Sequence, residues 1–459
     1  MQKPMADESG AYAGAAGADM FERFMPLAEQ QLAERRLRTP RAQRRERAAL
    51  KKRQFMLRML ALGSVLAGLG VVAFVAFLRW LRRRKRREAR RAEIVRACAA
   101  ERPGETIFVS LPSYRDPEAA HTLRSLFARA SCPSRVYVGL CQQNAPGDAD
   151  ALGSYATLAG RWNDPFTLAD NVRVLRLSAE EARGPCLARE LIEEKLYRGE
   201  RYVLHIDAHT MFAQDWDRIL IDELEATGDP KAVLTSYPPT YALDERHTPS
   251  TAAPAPPTFP YLSHVDDEGM PRFLRRRCTG RPLRPFPVTH WCACFSFARA
   301  EMLREVPYLA DVPFLFFGEE DAMGARLWTN GWNLYAPSRM PLHTTFDRSY
   351  RSTFWEVRHA DRQRLRRRSV RRVQAMLGYG VDSNIGPSAP EGIVGPGALG
   401  AARPVAAFWK MVGINPQRRT ATPAALLGLT ADASTDEILN KYGSMEEYYV
   451  ALRAAGGSL

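Results

Sequence analysis

From residue 106 to residue 238, short apolar runs alternate with helical stretches, and this alternation constrains the fold more than any other feature. TIFVSLPSY (106–114) is an apolar run ending in small polar residues. Asp116 and Pro117 then open a helical stretch, with Asp at a cap position and Pro in the first turn. RVYVGLC (135–141), NVRVLRL (171–177), RYVLHID (201–207) and AVLTSYP (232–238) read as further strands, with GPCLARELIEEKLYRG (184–199) and DWDRILIDELEA as helices among them. Strands separated by helices predict an α/β domain with a mostly parallel sheet. Ligands of such sheets bind beyond the carboxyl ends of the strands. Polar residues gather at two of those ends, Ser113–Asp116 and Asp207–His209.

The chain has 459 residues, 46% of them hydrophobic, which suffices for a large core and excludes wholesale disorder. Its 7 Cys are too sparse for a disulfide scaffold. A net charge of +14 suggests a polyanion partner until the charges are located. Residues 31–100 hold 21 Lys and Arg against 4 Asp and Glu, so the rest of the chain is slightly acidic and no nucleic-acid partner is expected. The same segment carries an uncharged apolar run of twenty residues, Met59–Leu78. As a helix it is roughly 30 Å long, about the hydrocarbon thickness of a bilayer. It predicts an uncleaved transmembrane anchor, because a run this far from the first residue is no signal peptide. The basic flanks would attract anionic headgroups. Ten Lys and Arg from Arg35 to Arg53 balance ten from Arg79 to Arg96, so flank charge does not orient the anchor.

HIDAHTMF (205–212) is the sharpest local motif. In an extended strand residues i and i+2 point the same way, so Asp207 and His209 stand side by side and can hold a divalent ion such as Mn²⁺ or Mg²⁺. His205 shares their face by parity, as a partner behind the pair. Taken alone, a D-x-H is more often a capping Asp beside a packed His. FLFFGEEDAMGARLWTNGWNLYAP (314–337) places Glu319, Glu320 and Asp321 after an aromatic run. Such acids also suit a helix N-terminus, whose dipole favours negative charge. LYAPSRMPLHTTFDRSYR (334–351) adds His343 as a candidate third metal ligand.

The runs IFVSLPSYRDPEAAHTL, GPCLARELIEEKLYRGERYVLHIDAHTMFAQDWD and FLFFGEEDAMGARLWTNGWNLYAP, with LHTTFDRSYRSTFWE, resemble in order the GlcNAc-transferase family over about 105–357. The family includes polypeptide and hydroxyproline α-N-acetylglucosaminyltransferases. The resemblance implies a GT-A-like nucleotide-sugar-binding fold, UDP-GlcNAc as donor, a divalent metal and transfer with retention of configuration. Residue by residue it implies Ser113, Tyr114, Arg115 and Asp116 bordering the uridine, and Arg189 near the donor. It further implies Asp207, His209 and His343 at the metal, Glu319 and Glu320 at the sugar and acceptor, and Asp347, Arg348 and Ser349 closing over the diphosphate. The chemistry agrees with those residue types. A nucleotide diphosphate leaves only once its charge is neutralised, which a cation and an arginine supply. An oxocarbenium-like transition state is stabilised by a nearby carboxylate.

The organisation expected from the sequence is a disordered basic tail (1–54), the anchor (55–79), a short basic stem (80–104), a GT-A-like transferase domain (105–375), a Gly/Pro linker (376–404) and a C-terminal helical extension (405–459). A Pro-rich insert within 239–289 either helps select the acceptor or is a disordered insertion. Cys292 and Cys294 read as small core residues on one face of a strand, since C-x-C alone is too weak for zinc. Eight Arg within 358–372 read as a solvated helix face. The expected function is metal-dependent transfer of GlcNAc from UDP-GlcNAc to a Ser, Thr or hydroxyproline hydroxyl of a protein acceptor. The alternatives are a metal-dependent hydrolase using Asp207, His209 and His343, and a non-catalytic membrane scaffold. The expected location is the Golgi membrane, as a single-pass type II protein with a lumenal catalytic domain; a cytosol-facing membrane protein is the alternative.

Overall fold

The structure, a computed structural model, describes residues 40–101, 104–162, 171–241, 255–378 and 398–455. The chain divides into two units, Met1–Arg86 and Arg87–Leu459. The second is built on a sheet whose first strands are β1 (Ile107–Tyr114), β2 (Val136–Asn144), β3 (Val172–Ser178) and β4 (Tyr202–Ile206), all parallel. Then follow β5 (Thr210–Phe212), β6 (Ala232–Thr235), β7 (Thr258–Val265), β8 (Pro271–Arg277), β9 (Phe286–Pro287), β10 (Phe295–Arg299), β11 (Asn333–Ala336) and β12 (Leu342–Thr344). The eight-stranded sheet has the order β3-β2-β1-β4-β10-β6-β11-β9, with β10 antiparallel to both of its neighbours. The chain therefore runs from β1 outward to β2 and β3, then returns to lay β4 on the other side of β1. Such a reversal opens a crevice at the carboxyl ends of the two strands where it occurs.

The central strands are buried on both faces, which is why β1 reads as an almost unbroken apolar run. Alternation then assigns its side chains to two cores. Phe108 joins one with the helix Pro185–Leu196; Ile107, Val109 and Leu111 join the other with the helices Ala119–Arg129 and Trp216–Ala226.

The helix Pro185–Leu196 matters most for the site. Gly184 precedes it at φ 100°, and an added Cβ there would lie 3.2 Å from the Leu315 carbonyl oxygen. Pro185 supplies the first turn. The helix settles directly over Gly139 of β2. A Cβ on Gly139 would meet Phe108 Cζ at 2.6 Å and Ile192 Cγ2 at 2.8 Å, so only glycine permits this approach.

One expectation is corrected. Among the described residues no helix is long and apolar enough to cross a membrane. Met59–Leu78 lies instead within a 62-residue helix, Pro40–Glu101. The side chains of 64–70 lie outside the described residues. The expected tail before residue 40 and the linker residues 379–397 lie outside the described residues.

Of the Pro-rich insert, 242–254 lies outside the described residues, whereas 255–289 is ordered structure. Here β7 and β8 form an antiparallel hairpin seated against the C-terminal helices Thr435–Tyr442 and Met445–Ala454. The Thr279 amide donates to the Lys441 carbonyl at 3.1 Å, and Arg276 donates to the Tyr442 hydroxyl at 2.8 Å. On the arginine-rich helix Arg362–Leu377, Arg366 makes a bidentate pair with Glu268 in the hairpin turn, at 2.8 and 2.5 Å. That face is therefore partly engaged by protein. Cys292 and Cys294 precede β10 rather than lying within a strand, and both are buried. Cys98 and Cys132 form a disulfide.

Gly139→Ala is expected to lower the unfolding free energy by about 1–3 kcal/mol through overpacking against Phe108 and Ile192. The check is a denaturant titration, in which the midpoint falls while the slope is retained.

Candidate active site

The crevice at the β1/β4 reversal is lined by residues from several elements. Tyr114 ends β1 and Asp116 follows it, Gln143 lies near the end of β2, and Gly184, Pro185, Ala188 and Arg189 come from the helix start. Asp207, Ala208 and His209 follow β4; Phe316, Arg348, Arg351, Thr353, Phe354 and Trp355 close the far wall.

Its floor is a ladder between helix and strand. Asp207 Oδ1 accepts from Arg189 Nη2 at 3.1 Å, and one rung below, His205 Nε2 meets Glu193 Oε1 at 2.8 Å. Residues two apart on a strand are separated by about 6.6 Å, and residues four apart on a helix by about 6 Å. The two spacings match, so both rungs form at once. His205 is fully buried, and burial pushes its ring below the ordinary histidine range in spite of Glu193.

Asp207 and His209 stand together, with Asp207 Oδ2 3.6 Å from His209 Nε2. His209 Nδ1 meets Asp116 Oδ2 at 2.9 Å. Asp116 is in turn held by the Glu118 amide at 3.0 Å, the Tyr350 hydroxyl at 3.2 Å and the Arg351 guanidinium at 3.0 Å. Burial alone would push the Asp116 carboxyl up, but His209, Arg351 and the Glu118 amide outweigh it and hold the carboxyl below its ordinary value. A histidine pinned at Nδ1 by a carboxylate presents Nε2 in a fixed direction.

His343 is not brought to this pair. Strand pairing places it opposite Met211, past His209 on the β5 strand, and it does not line the crevice. Burial, with a smaller effect from Arg129, pushes its ring down to about 4. Among the described residues no three His, Cys, Asp or Glu side chains are grouped closely enough to hold a metal. Of the three ligands expected from the sequence, the structure brings Asp207 and His209 side by side and leaves His343 out of the crevice lining.

The acids of the G-E-E-D run open the helix Glu319–Thr329 and face three different ways. Glu319 is buried, accepts from the Tyr308 hydroxyl at 2.8 Å and lies 3.7 Å from Arg189 Nε. Burial pushes its carboxyl up to about 7, with Arg189 and Tyr308 restraining the rise. Glu320 accepts from the Ala293 amide at 2.8 Å and the Tyr237 hydroxyl at 2.5 Å, with His290 at 3.4 Å. Asp321 is buried toward Arg272, and burial pushes its carboxyl well up. Neither Glu319 nor Glu320 lines the crevice itself, although Arg189 donates to the carbonyl of the same Ala293 whose amide serves Glu320.

The remaining candidates divide. Tyr114 lines the crevice, while the buried Ser113 hydroxyl has no hydrogen-bond partner among the described residues. Arg115, at φ 48°, is engaged by Asp148 in a bidentate pair at 2.8 and 3.1 Å. Asp347 caps a turn by accepting from the Ser349 amide at 2.8 Å, which leaves Arg348 to line the crevice, 5.1 Å from the Phe316 ring centre.

Sequence reasoning missed Arg351 and the aromatic wall. Phe316 packs with Trp355 at 5.1 Å and with Phe354 at 5.7 Å between ring centres. The available signal was the run S-Y-R-S-T-F-W-E, directly beyond the D-R-S already singled out.

The model of the glycosyltransferase (GlcNAc) family matches residues 106–167 and 155–418. The chain belongs to that family and is a glycosyltransferase. No curated protein matches its sequence. Among solved structures, GalNAc-T7 with UDP, GalNAc and Mn²⁺ is similar at 16% identity and a TM-score of 0.41, covering 59% of this chain and 48% of that one. TarS 1–349 of S. aureus, in complex with UDP-GlcNAc, follows at 12% identity and 0.36, covering 60% and 68%. The mannosyltransferase PcManGT from Pyrobaculum calidifontis, with GDP-Man and Mn²⁺, stands at 12% and 0.35, covering 82% and 85%. This chain thus spans about half the length of GalNAc-T7. Likenesses this distant assign no residue a role here.

Glu319 makes stability pH-dependent in a defined direction. Its folded value of about 7 lies above the ordinary 4.5, so its contribution is complete below pH 4.5 and is lost as pH rises through 7. The loss is on the order of 3 kcal/mol. Glu319→Gln should flatten this part of the stability profile, measured as unfolding midpoints of variant and wild type from pH 4.5 to 8.

Proposed function

We propose that the protein transfers GlcNAc from UDP-GlcNAc to a Ser, Thr or hydroxyproline hydroxyl of a protein acceptor, with retention of configuration. The observation that carries this reading is a buried guanidinium at the crevice floor with donors to spare. Arg189 is 1% exposed, and its Nε and Nη1 have no hydrogen-bond partner among the described residues. Buried donors without partners are costly; Nε faces Glu319 at 3.7 Å, and an anionic ligand in the crevice would satisfy Nη1. Arg348 and Arg351 line the same space, and the helix Pro185–Leu196 points its N-terminus into it. Arginines and a helix N-terminus converging at a strand reversal suit a nucleotide diphosphate.

Asp207 and His209 fit a divalent cation, because Asp116 pins one imidazole nitrogen and leaves the other beside the Asp207 carboxylate. When bound there, such an ion would supply charge neutralisation to the diphosphate. The protein's own residues do the rest. Arg189, Arg348 and Arg351 stabilise the negative charge that develops as the bond from sugar C1 to the phosphate oxygen breaks. The aromatic wall of Phe316, Phe354 and Trp355 excludes water and offers flat surfaces to the donor. Tyr114 lies on the uridine side. The family resemblance assigns Glu320, which is held by Tyr237 and Ala293, to the sugar and acceptor. The acceptor oxygen bonds to C1 from the face that UDP leaves, and its proton passes to the departing phosphate oxygen, so no protein base is required.

The test is incubation of the full chain with labelled UDP-GlcNAc, Mn²⁺ and a Thr-rich peptide. Label should pass to the peptide, and Asp207→Ala should lower turnover by on the order of 100-fold or more with circular dichroism unchanged. A wild type that shows no transfer and no UDP-sugar hydrolysis would overturn the reading. Binding of UDP separates it from a metal hydrolase, which has no use for uridine.

A further inference from the structure

Arg189 is held from behind by residues that the crevice does not contain. Tyr308 and Glu319 are both buried, and neither lines the crevice. Tyr308 instead faces a second cavity behind the helix Pro185–Leu196. Its hydroxyl donates to Glu319 Oε1 at 2.8 Å, and the same oxygen lies 3.7 Å from Arg189 Nε. Its ring centre lies 6.0 Å from the Arg189 guanidinium carbon and 5.6 Å from the His205 ring centre. Its backbone amide donates to Glu193 at 3.2 Å. One tyrosine therefore braces both rungs of the ladder beneath Asp207.

The geometry at Arg189 is asymmetric. Nη2 is committed to Asp207 and the Ala293 carbonyl, at 3.1 and 3.0 Å. Nε is too far from Glu319 for a hydrogen bond but close enough for charge attraction. Glu319 thus aims the guanidinium without occupying its donors. A guanidinium is planar, so fixing the Nε edge fixes where Nη1 and Nη2 point.

We infer that Glu319 and Tyr308 are positioning residues that act through Arg189, holding its guanidinium against Asp207 at the crevice floor while touching no substrate. This rests on the reading of the crevice as the donor site.

The experiment is a double-mutant cycle on the full chain with UDP-GlcNAc and Mn²⁺, comparing Glu319→Gln, Tyr308→Phe and Arg189→Lys with the two double variants that contain Arg189→Lys. Glu319→Gln and Tyr308→Phe should each lower kcat about tenfold and change KM for UDP-GlcNAc by less than about threefold. Each double variant should be no worse than Arg189→Lys alone, because the effect has no route except Arg189. Losses that multiply in the doubles would overturn the inference, as would a rise in KM with kcat retained. UDP titration by calorimetry, read without turnover, keeps the two levels apart. Wild type that binds no UDP overturns the reading of the crevice; wild type that binds UDP while the losses multiply overturns the positioning role alone. Tyr308→Phe changes a single hydroxyl and guards the cycle against a general folding defect in Glu319→Gln.

Discussion

The ion pair between the buried Arg189 and Asp207 on the crevice floor is the interaction on which the rest of the site depends. A guanidinium that is almost wholly removed from water carries a large desolvation cost, and it stays only where charge and geometry repay it. Here repayment comes from several parts of the chain: the carboxylate beyond β4, the Ala293 carbonyl before β10, and Glu319 at the start of a later helix. The pair therefore ties helix, sheet and acidic run into one floor. It can form because Gly139 lets the helix sit directly on the strands and because strand and helix spacings agree over two rungs.

The three acids after Gly318 show how packing separates residues that a sequence presents as equals. Successive helical positions turn by about 100°, so adjacent carboxylates at a helix start face different neighbours. Glu319 turns to Arg189 and Tyr308, Glu320 to Tyr237, His290 and the Ala293 amide, and Asp321 toward Arg272. Helix-dipole stabilisation and service to the site coexist, because each acid has its own surroundings.

Legibility in the sequence was uneven, for reasons of range. Strand and helix periodicity is local, so the alternating elements and the mostly parallel sheet could be read directly, as could the juxtaposition of Asp207 and His209. The contact from His209 to Asp116 spans 93 residues and depends on strand order, which no local pattern encodes. Likewise the apolar run Met59–Leu78 met the length expected of an anchor, yet among the described residues no helix is long and apolar enough to cross a membrane. Charge bookkeeping along the chain correctly moved the basicity out of the catalytic body. It could not say which arginines would end up facing the crevice.

What the sequence by itself determined is the α/β class with its mostly parallel sheet, the family and the pair of residues at the end of β4, because each rests on neighbours in the chain or on motifs in fixed order. Only the tertiary structure decided that His343 lies apart from that pair, that Arg351 and the aromatic wall close the crevice, and that Glu319 works behind Arg189 rather than in the open. Those outcomes follow from the pairing of β12 with β5 and from the seating of one helix on Gly139. Both are contacts between segments far apart in sequence, whose geometry exists only once the sheet has formed.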